Sequence, residues 1–254
     1  MEKWKKSQPN YHNRHVLEQF HRDTFHLVSN TSVNTRDVAS NSEKNRHYSD
    51  DGNGISLNNV TYQENIFEKT VKGRRTSWEF DNPMDFDCLS KLLALAFDVT
   101  AVKPFNGQDV ALRAYPSAGA AYSISIYVYI DHVRSDVNQT IFRYDPNQRR
   151  LNKVNHSNSD VMNSLASATR YKVQDLSQAK VIFFLATDFK ALFPRYGLLT
   201  YRLSLLEAGH MAQNLQMVAT YLGLNPVPIG GFYDIEVKEN VTGSEDCLYI
   251  HAIG

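Results

Sequence analysis

A chain of 254 residues can bury one sizeable core, and a single domain with an extension accounts for its length. Its 27 basic and 27 acidic residues cancel, which excludes the one-signed field of a nucleic-acid or anionic-membrane binder. No run approaches the roughly 18 apolar residues of a bilayer span, and no export signal opens the chain, so a cytoplasmic location is expected.

In chain order, residues 15–27 place Val16, Leu17, Phe20 and Phe25 at weak helical spacing, a segment able to dock on a core. His12, His15, His21 and His26 invite a metal reading. No cysteine or carboxylate spacing completes a site, so they read as solvated side chains on a peripheral segment. Residues 28–59 are rich in Asn, Ser, Asp and Gly and hold few large apolar side chains to offset the entropy of ordering. The expectation is an N-terminal arm over 1–60, partly flexible, and one domain over 61–254. Cys88 and Cys247 are expected to stay reduced as small apolar side chains.

Within the domain, Leu89, Leu92, Leu93, Ala96 and Phe97 predict a helix over 86–97 behind Asp85 or Asp87 as cap. Ile124, Ile126, Val128 and Ile130 alternate with Ser and Tyr and predict a strand over 122–130 with two differing faces. Residues 142–151 read as a hairpin around Asp-Pro-Asn, 156–178 as helical, and 180–186, with its Val-Ile-Phe-Phe-Leu run, as a buried central strand. The strongest helix covers 200–222, apolar almost all round, and must be central or lie at a subunit interface. Gly223 marks its end, Pro226 and Pro228 forbid its continuation, and 247–253 offers a last strand. Without a regular βαβ repeat, the class is α+β.

Four clusters can carry chemistry. Arg74, Arg75 and Thr76 follow Gly73 and can hold a phosphate through forked, charge-assisted hydrogen bonds; the alternative is a solvated basic turn. Pro116, Ser117, Ala118 and Gly119 are small residues leading into a strand, where backbone can approach a flat or anionic ligand; the alternative is an ordinary turn. Arg195 and Tyr196 precede Gly197, and a phenol beside a cation can act as a base or orient a substrate, unless the pair only packs. Gly230 and Gly231 after Pro228 allow irregular backbone near a ligand. On the long helix, Glu207, Gly209, His210, Gln213 and Asn214 interrupt the apolar residues, as either a site or satisfied buried polar groups.

The order and wording of these clusters resemble the SagB-type azoline dehydrogenases, a branch of the FMN-dependent nitroreductase superfamily. The runs carrying the likeness are Arg-Arg-Thr at 74–76, Tyr-Pro-Ser-Ala-Gly-Ala at 115–120, Tyr-Gly at 196–197, Glu-Ala-Gly-His-Met-Ala-Gln-Asn-Leu at 207–215 and Pro-Ile-Gly-Gly-Phe at 228–232. The resemblance spans about residues 68–254. It implies a central, mostly antiparallel sheet flanked by helices, a homodimer, and FMN at the subunit interface. It further implies that Arg74, Arg75 and Thr76 bind the phosphate and ribityl end, that Pro116, Ser117, Ala118 and Gly119 lie against the flavin ring, and that Gly230 and Gly231 approach its reactive nitrogen.

The activity implied is oxidation of thiazolines or oxazolines to thiazoles or oxazoles in a ribosomally made peptide, beside a cyclodehydratase, with oxygen reoxidising the flavin. The family's base is associated with a Lys-Tyr pair before a glycine. Here Arg195 stands in place of the lysine, with Tyr196 kept as the catalytic residue beside it. Arginine stays protonated, so the proton duty falls on Tyr196. Two other functions fit the same residues: a flavin oxidase that desaturates a Cα–Cβ bond of a peptide, and a flavin-less scaffold subunit of a peptide-modifying complex.

Overall fold

The computed structural model describes residues 12–23, 57–59, 61, 65–105, 107–154 and 176–254. The expected arm over 28–59 and the expected helix over 156–178 lie outside the described residues except at their ends. The first helix, α1 (His12–Asp23), is followed by α2 (Ile66–Gly73) and α3 (Phe86–Phe97). Next come strands β1 (Val99–Phe105), β2 (Gln108–Arg113), β3 (Ile124–Ile130), β4 (Thr140–Asp145), β5 (Arg150–Lys153) and β6 (Val181–Thr187). Helices α4 (Phe189–Tyr196) and α5 (Leu199–Tyr221) precede β7 (Pro226–Ile229), the short α6 (Asp234–Val237) with a π-helical turn at Lys238–Thr242, and β8 (Asp246–Ile253).

Among the described residues the main sheet has six strands in the order β5-β4-β3-β6-β8-β7, and every pairing in it is antiparallel. β1 and β2 form a separate antiparallel pair. This is the expected α+β class. The alternation in β3 sends Ile124, Ile126, Val128 and Ile130 into a core shared with α3 and α5, and Tyr127 and Tyr129 into a second core on the other face. β6 is buried along its whole length, because Phe183 and Leu185 enter the first core while Ile182 and Phe184 enter the second. A continuous apolar run is usual in parallel sheets. Here it occurs in an antiparallel strand because both faces of the sheet are covered.

Helix α3 begins where the sequence placed it, with the Asp85 carboxylate accepting from the Cys88 N–H at 2.7 Å. Its far end is tied to α5 by the Asn214 side chain, whose Nδ2 donates to the Ala96 carbonyl at 2.7 Å. α5 ends at Leu222 and Gly223, the latter left-handed at φ 74°. Its apolar residues do not all turn inward: Ala208, Met211, Ala212, Leu215 and Ala219 are buried, while Leu205 and Leu206 are exposed. After it, Pro226 and Pro228 stop the helix as expected and also start β7, at the sheet edge where their missing N–H groups cost no ladder bond. The two cysteines are free, Cys247 buried and Cys88 half-buried.

The N-terminal segment differs from its expectation in one respect. α1 docks through Leu17 on Phe189 and Phe193, and His21 is buried rather than solvated, its ring 5.0 Å from that of Phe189 and 5.6 Å from that of Tyr201. The apolar spacing that docks α1 carries His21 inward with Leu17, one helical turn away. Burial lowers its pKa from the usual imidazole value.

Candidate active site

The segment between β2 and β3 turns sharply, with a 3-10 turn at Ala118–Ala120 and left-handed backbone at Gly119 (φ 57°), Ala120 (φ 53°) and Tyr122 (φ 47°). A short helix carries Arg195 and Tyr196 towards it. α4 is opened by the Asp188 side chain, which accepts from the Lys190 N–H at 2.9 Å, and closed by Gly197 in a left-handed conformation. Tyr196 Oη donates to the Ala118 carbonyl at 3.3 Å, and the Arg195 guanidinium carbon lies 5.0 Å from the Tyr196 ring centre. A Cβ on Gly119 would lie 2.6 Å from Tyr196 Oη and 2.7 Å from an Arg195 terminal nitrogen. The φ there favours glycine, and a Cβ would displace the ends of both side chains.

The turn is anchored from below by a carboxylate. Glu207, only 3% exposed on α5, accepts from Ser117 Oγ at 2.6 Å, from Ser123 Oγ at 3.2 Å and from the Ile124 N–H at 3.4 Å. Ser117 Oγ in turn accepts from the Tyr122 N–H at 2.9 Å. The Ser117 hydroxyl is thus directed at Glu207, and what this segment offers a ligand is backbone and the small residues around Gly119. By its sequence position alone Glu207 is one polar residue among several on α5. The available signal was an acidic residue between apolar neighbours with no lysine or arginine three or four places away.

The flanking aromatic groups are firmly held. Tyr122 Oη accepts from the Arg113 N–H at 2.9 Å, and Tyr115 Oη accepts from Arg113 Nη1 at 2.9 Å. Burial pushes the Tyr115 pKa up to about 12, against the pull of the Arg113 charge, so this phenol stays neutral. Of the tyrosines near the turn, Tyr196 is the one whose hydroxyl reaches the Gly119 segment.

The remaining predicted residues lie elsewhere. Arg74, half-buried at the end of α2, donates from Nη1 to Gln216 Oε1 at 3.3 Å, about 14 Å beyond Glu207 along α5 at ~1.5 Å rise per residue. Arg75 folds back, its Nη1 donating to the Lys72 and Arg74 carbonyls at 2.8 and 2.7 Å, and Thr76 is exposed. The Ser77 N–H donates to the Pro226 carbonyl at 3.4 Å, which sets the arginines beside the start of β7. Gly230 and Gly231 follow the end of that strand, and a Cβ on either meets nothing within 4 Å among the described residues. The chain therefore brings residues 116–119 together with Arg195, Tyr196 and Glu207. Arg74, Arg75 and Thr76 stand at the other end of α5, and the paired glycines face open space.

A helix-flanked antiparallel sheet with this loop on its central helix is an α+β nitroreductase-like fold. Residues 71–254 match the model of the nitroreductase family, and the chain belongs to that family. It is 28% identical over 204 residues to a protein of Methanocaldococcus jannaschii whose name assigns it to the nitroreductases, covering 80% of this chain and 98% of that protein. Among solved structures it is similar to a chain of the E. coli microcin synthetase McbBCD complex with truncated pro-MccB17 bound. That likeness has a TM-score of 0.72 at 20% identity, over 96% of this chain and 93% of that one. It is also similar to a nitroreductase-like protein of Ralstonia eutropha, with a TM-score of 0.55 at 21% identity, over 79% of this chain and 87% of that one. Family membership makes oxidoreductase chemistry with a flavin the general expectation. No described helix is long and apolar enough to cross a membrane.

Proposed function

We propose that this chain is an FMN-dependent azoline dehydrogenase, oxidising thiazoline or oxazoline rings of a peptide to thiazoles or oxazoles. The observation that carries the reading is the convergence of the Tyr196 hydroxyl and the Arg195 guanidinium on Gly119. The likeness to a chain of a synthetase complex solved with a truncated pro-peptide supports a peptide substrate and protein partners, which we take to include a cyclodehydratase, and the family match over 71–254 supports 61–254 as the catalytic domain.

The residues fit FMN in three respects. The turn at 117–121 presents backbone and small side chains, Gly230 and Gly231 leave room for close approach, and half-buried Arg74 can take an anionic tail. When bound, FMN supplies the two-electron oxidation, with oxygen as the final acceptor. Tyr196 first releases its own phenolic proton to solvent, giving up the bond it donates to the Ala118 carbonyl, and the phenolate Oη then takes the ring proton. Arg195 keeps its own proton and holds a positive charge beside the phenol, replacing in that respect a lysine that could have shared the base role. Glu207 fixes the turn against which the ring would lie. Leu198, Leu199, Leu205 and Leu206, exposed along one side of α5, supply an apolar strip for a homodimer.

The test is mass spectrometry of an azoline peptide incubated with the FMN-loaded protein and oxygen. A loss of about two hydrogens per ring is expected, and Tyr196→Phe should retain FMN while losing about a hundredfold or more in turnover. Undiminished turnover by Tyr196→Phe would remove the base role. Peroxide from a ring-free peptide would instead indicate Cα–Cβ desaturation, and a protein that takes up no FMN would be a scaffold.

A further inference from the structure

We propose that the cleft between the end of β2 and the β4–β5 hairpin is a carboxylate-binding subsite that anchors the peptide, an inference that rests on the peptide-oxidase reading above. The cleft encloses about 320 Å³, enough for one residue-sized group, and Arg113, Tyr122, Ser125, Arg143, Asn147 and Asn152 contribute to its wall. Tyr122 belongs to the same turn as Gly119, so a chain held in the cleft lies next to the segment that Tyr196 and Arg195 approach.

Arg113 points to the ligand. It is half-buried, its Nη1 is engaged by the Tyr115 hydroxyl, and its guanidinium carbon stands 4.7 Å from the Tyr122 ring centre. No carboxylate among the described residues forms an ion pair with it. A partly buried guanidinium without a carboxylate is unfavourable, and its remaining donors form a planar fork that matches a carboxylate. Arg143 supplies a second cation on the same wall. Its Nη2 bonds Ser125 Oγ at 2.7 Å and Glu245 Oε1 at 3.4 Å, which fixes the head and leaves its other donors available. Asp145 also lines the cleft, but its Oδ1 faces the hairpin turn, accepting from the Asn147 and Gln148 N–H groups at 2.8 and 3.3 Å. Arg143 is paired with Glu245 and Asp145 is turned to its own hairpin, so the charge of the wall left without a carboxylate is that of Arg113. The anion can be a peptide C-terminus or an Asp or Glu side chain close to the modified ring.

Three probes separate these sources: acetyl-tetraglycine with a free C-terminal carboxylate, its C-terminal amide, and that amide with one internal Glu. Each is titrated into the FMN-treated protein at low salt, with bound FMN measured in parallel. The free acid, the Glu peptide or both should bind about tenfold or more tightly than the plain amide. Preference for the free acid alone assigns a C-terminus, and equal gain by the Glu peptide assigns a side chain. Arg143→Gln should bring the acidic probe to the level of the amide with FMN content unchanged, and Arg113→Lys, which keeps charge but loses the fork, should weaken it partly. Equal binding of all three probes, no binding of any, indifference to Arg143→Gln, or equal competition by inorganic phosphate overturns the subsite. A protein without FMN that still discriminates acid from amide overturns the oxidase reading and leaves the subsite standing.

Discussion

The two glycine-containing loops expected at the ring of a flavin are built in opposite ways. Around Gly119 the chain is over-determined, with Glu207 below, the Arg113–Tyr122 pair at the side, and Tyr196 and Arg195 pressed against the α-carbon. Around Gly230 and Gly231 no atom of the described residues approaches within 4 Å of a built Cβ. One wall is fixed before any ligand arrives, and the other is left accessible. Preorganisation is therefore concentrated where the proposed proton transfer would take place, while the accessible wall would leave room for cofactor and substrate.

Gly119→Ala should break this contrast most severely. A left-handed alanine costs about 1–2 kcal/mol of stability, and the displaced Tyr196 and Arg195 heads should cost about a hundredfold in turnover. Steady-state kinetics beside urea unfolding separates the two effects, and normal turnover would show that the close approach is dispensable.

The next effect concerns the base of the open loop. His251 on β8 pairs across from Pro228, is fully buried, and has no hydrogen-bond partner on either ring nitrogen among the described residues. Burial drives its pKa down to about 4. The folded state thus keeps it neutral while the unfolded chain takes a proton near the ordinary value of about 6.5. Its contribution is complete above that pH and declines as pH falls towards 4, by on the order of 3 kcal/mol. Urea midpoints at pH 7 and pH 4.5 should show the slope, and His251→Leu should reduce it, with the part due to His21, whose pKa is lowered in the same direction, remaining.

Glu207→Gln should cost about 1–3 kcal/mol, because an amide nitrogen would meet either the serine donors or the Ile124 N–H. Faster hydrogen exchange at the Tyr122 amide, which rests on Ser117 Oγ, would report the loosened turn; unchanged exchange would show that Glu207 does not hold it. The smallest effect belongs to Gly231→Ala, expected within about 0.5 kcal/mol of the parent by urea unfolding. A loss above about 1 kcal/mol would mean that both walls are equally close-packed.

Much of the fold could be read from the chain because α3 and β3 repeat apolar residues at one period, while β6, α5 and β8 are apolar over a strand's or a helix's length between clear breaks. β1 and β2 could not, since their burial is slight and Pro104 interrupts the first. β7 was hidden by its prolines, and α4 by its brevity and by Pro194. At the candidate site, Arg195, Tyr196 and the turn at 116–119 were legible as local residue types, and the structure joins them. The Ser117–Glu207 and Arg74–Gln216 bonds were not, because the partners are 90 and 142 residues apart and nothing local encodes the meeting.

The docking of α1 has a mechanical consequence. Leu17 and His21 bear on Phe189, Phe193 and Tyr201, so α1 packs on the helix that ends in Arg195 and Tyr196 and on the first turn of α5. α4 is only two turns long and contains a proline, and is compliant by itself. Clamped by α1 near its root and by the Gly119 turn at its tip, it becomes a short beam supported at both ends. The stiffness of the phenol's position is then set partly by residues that precede it in the chain by more than 170 places.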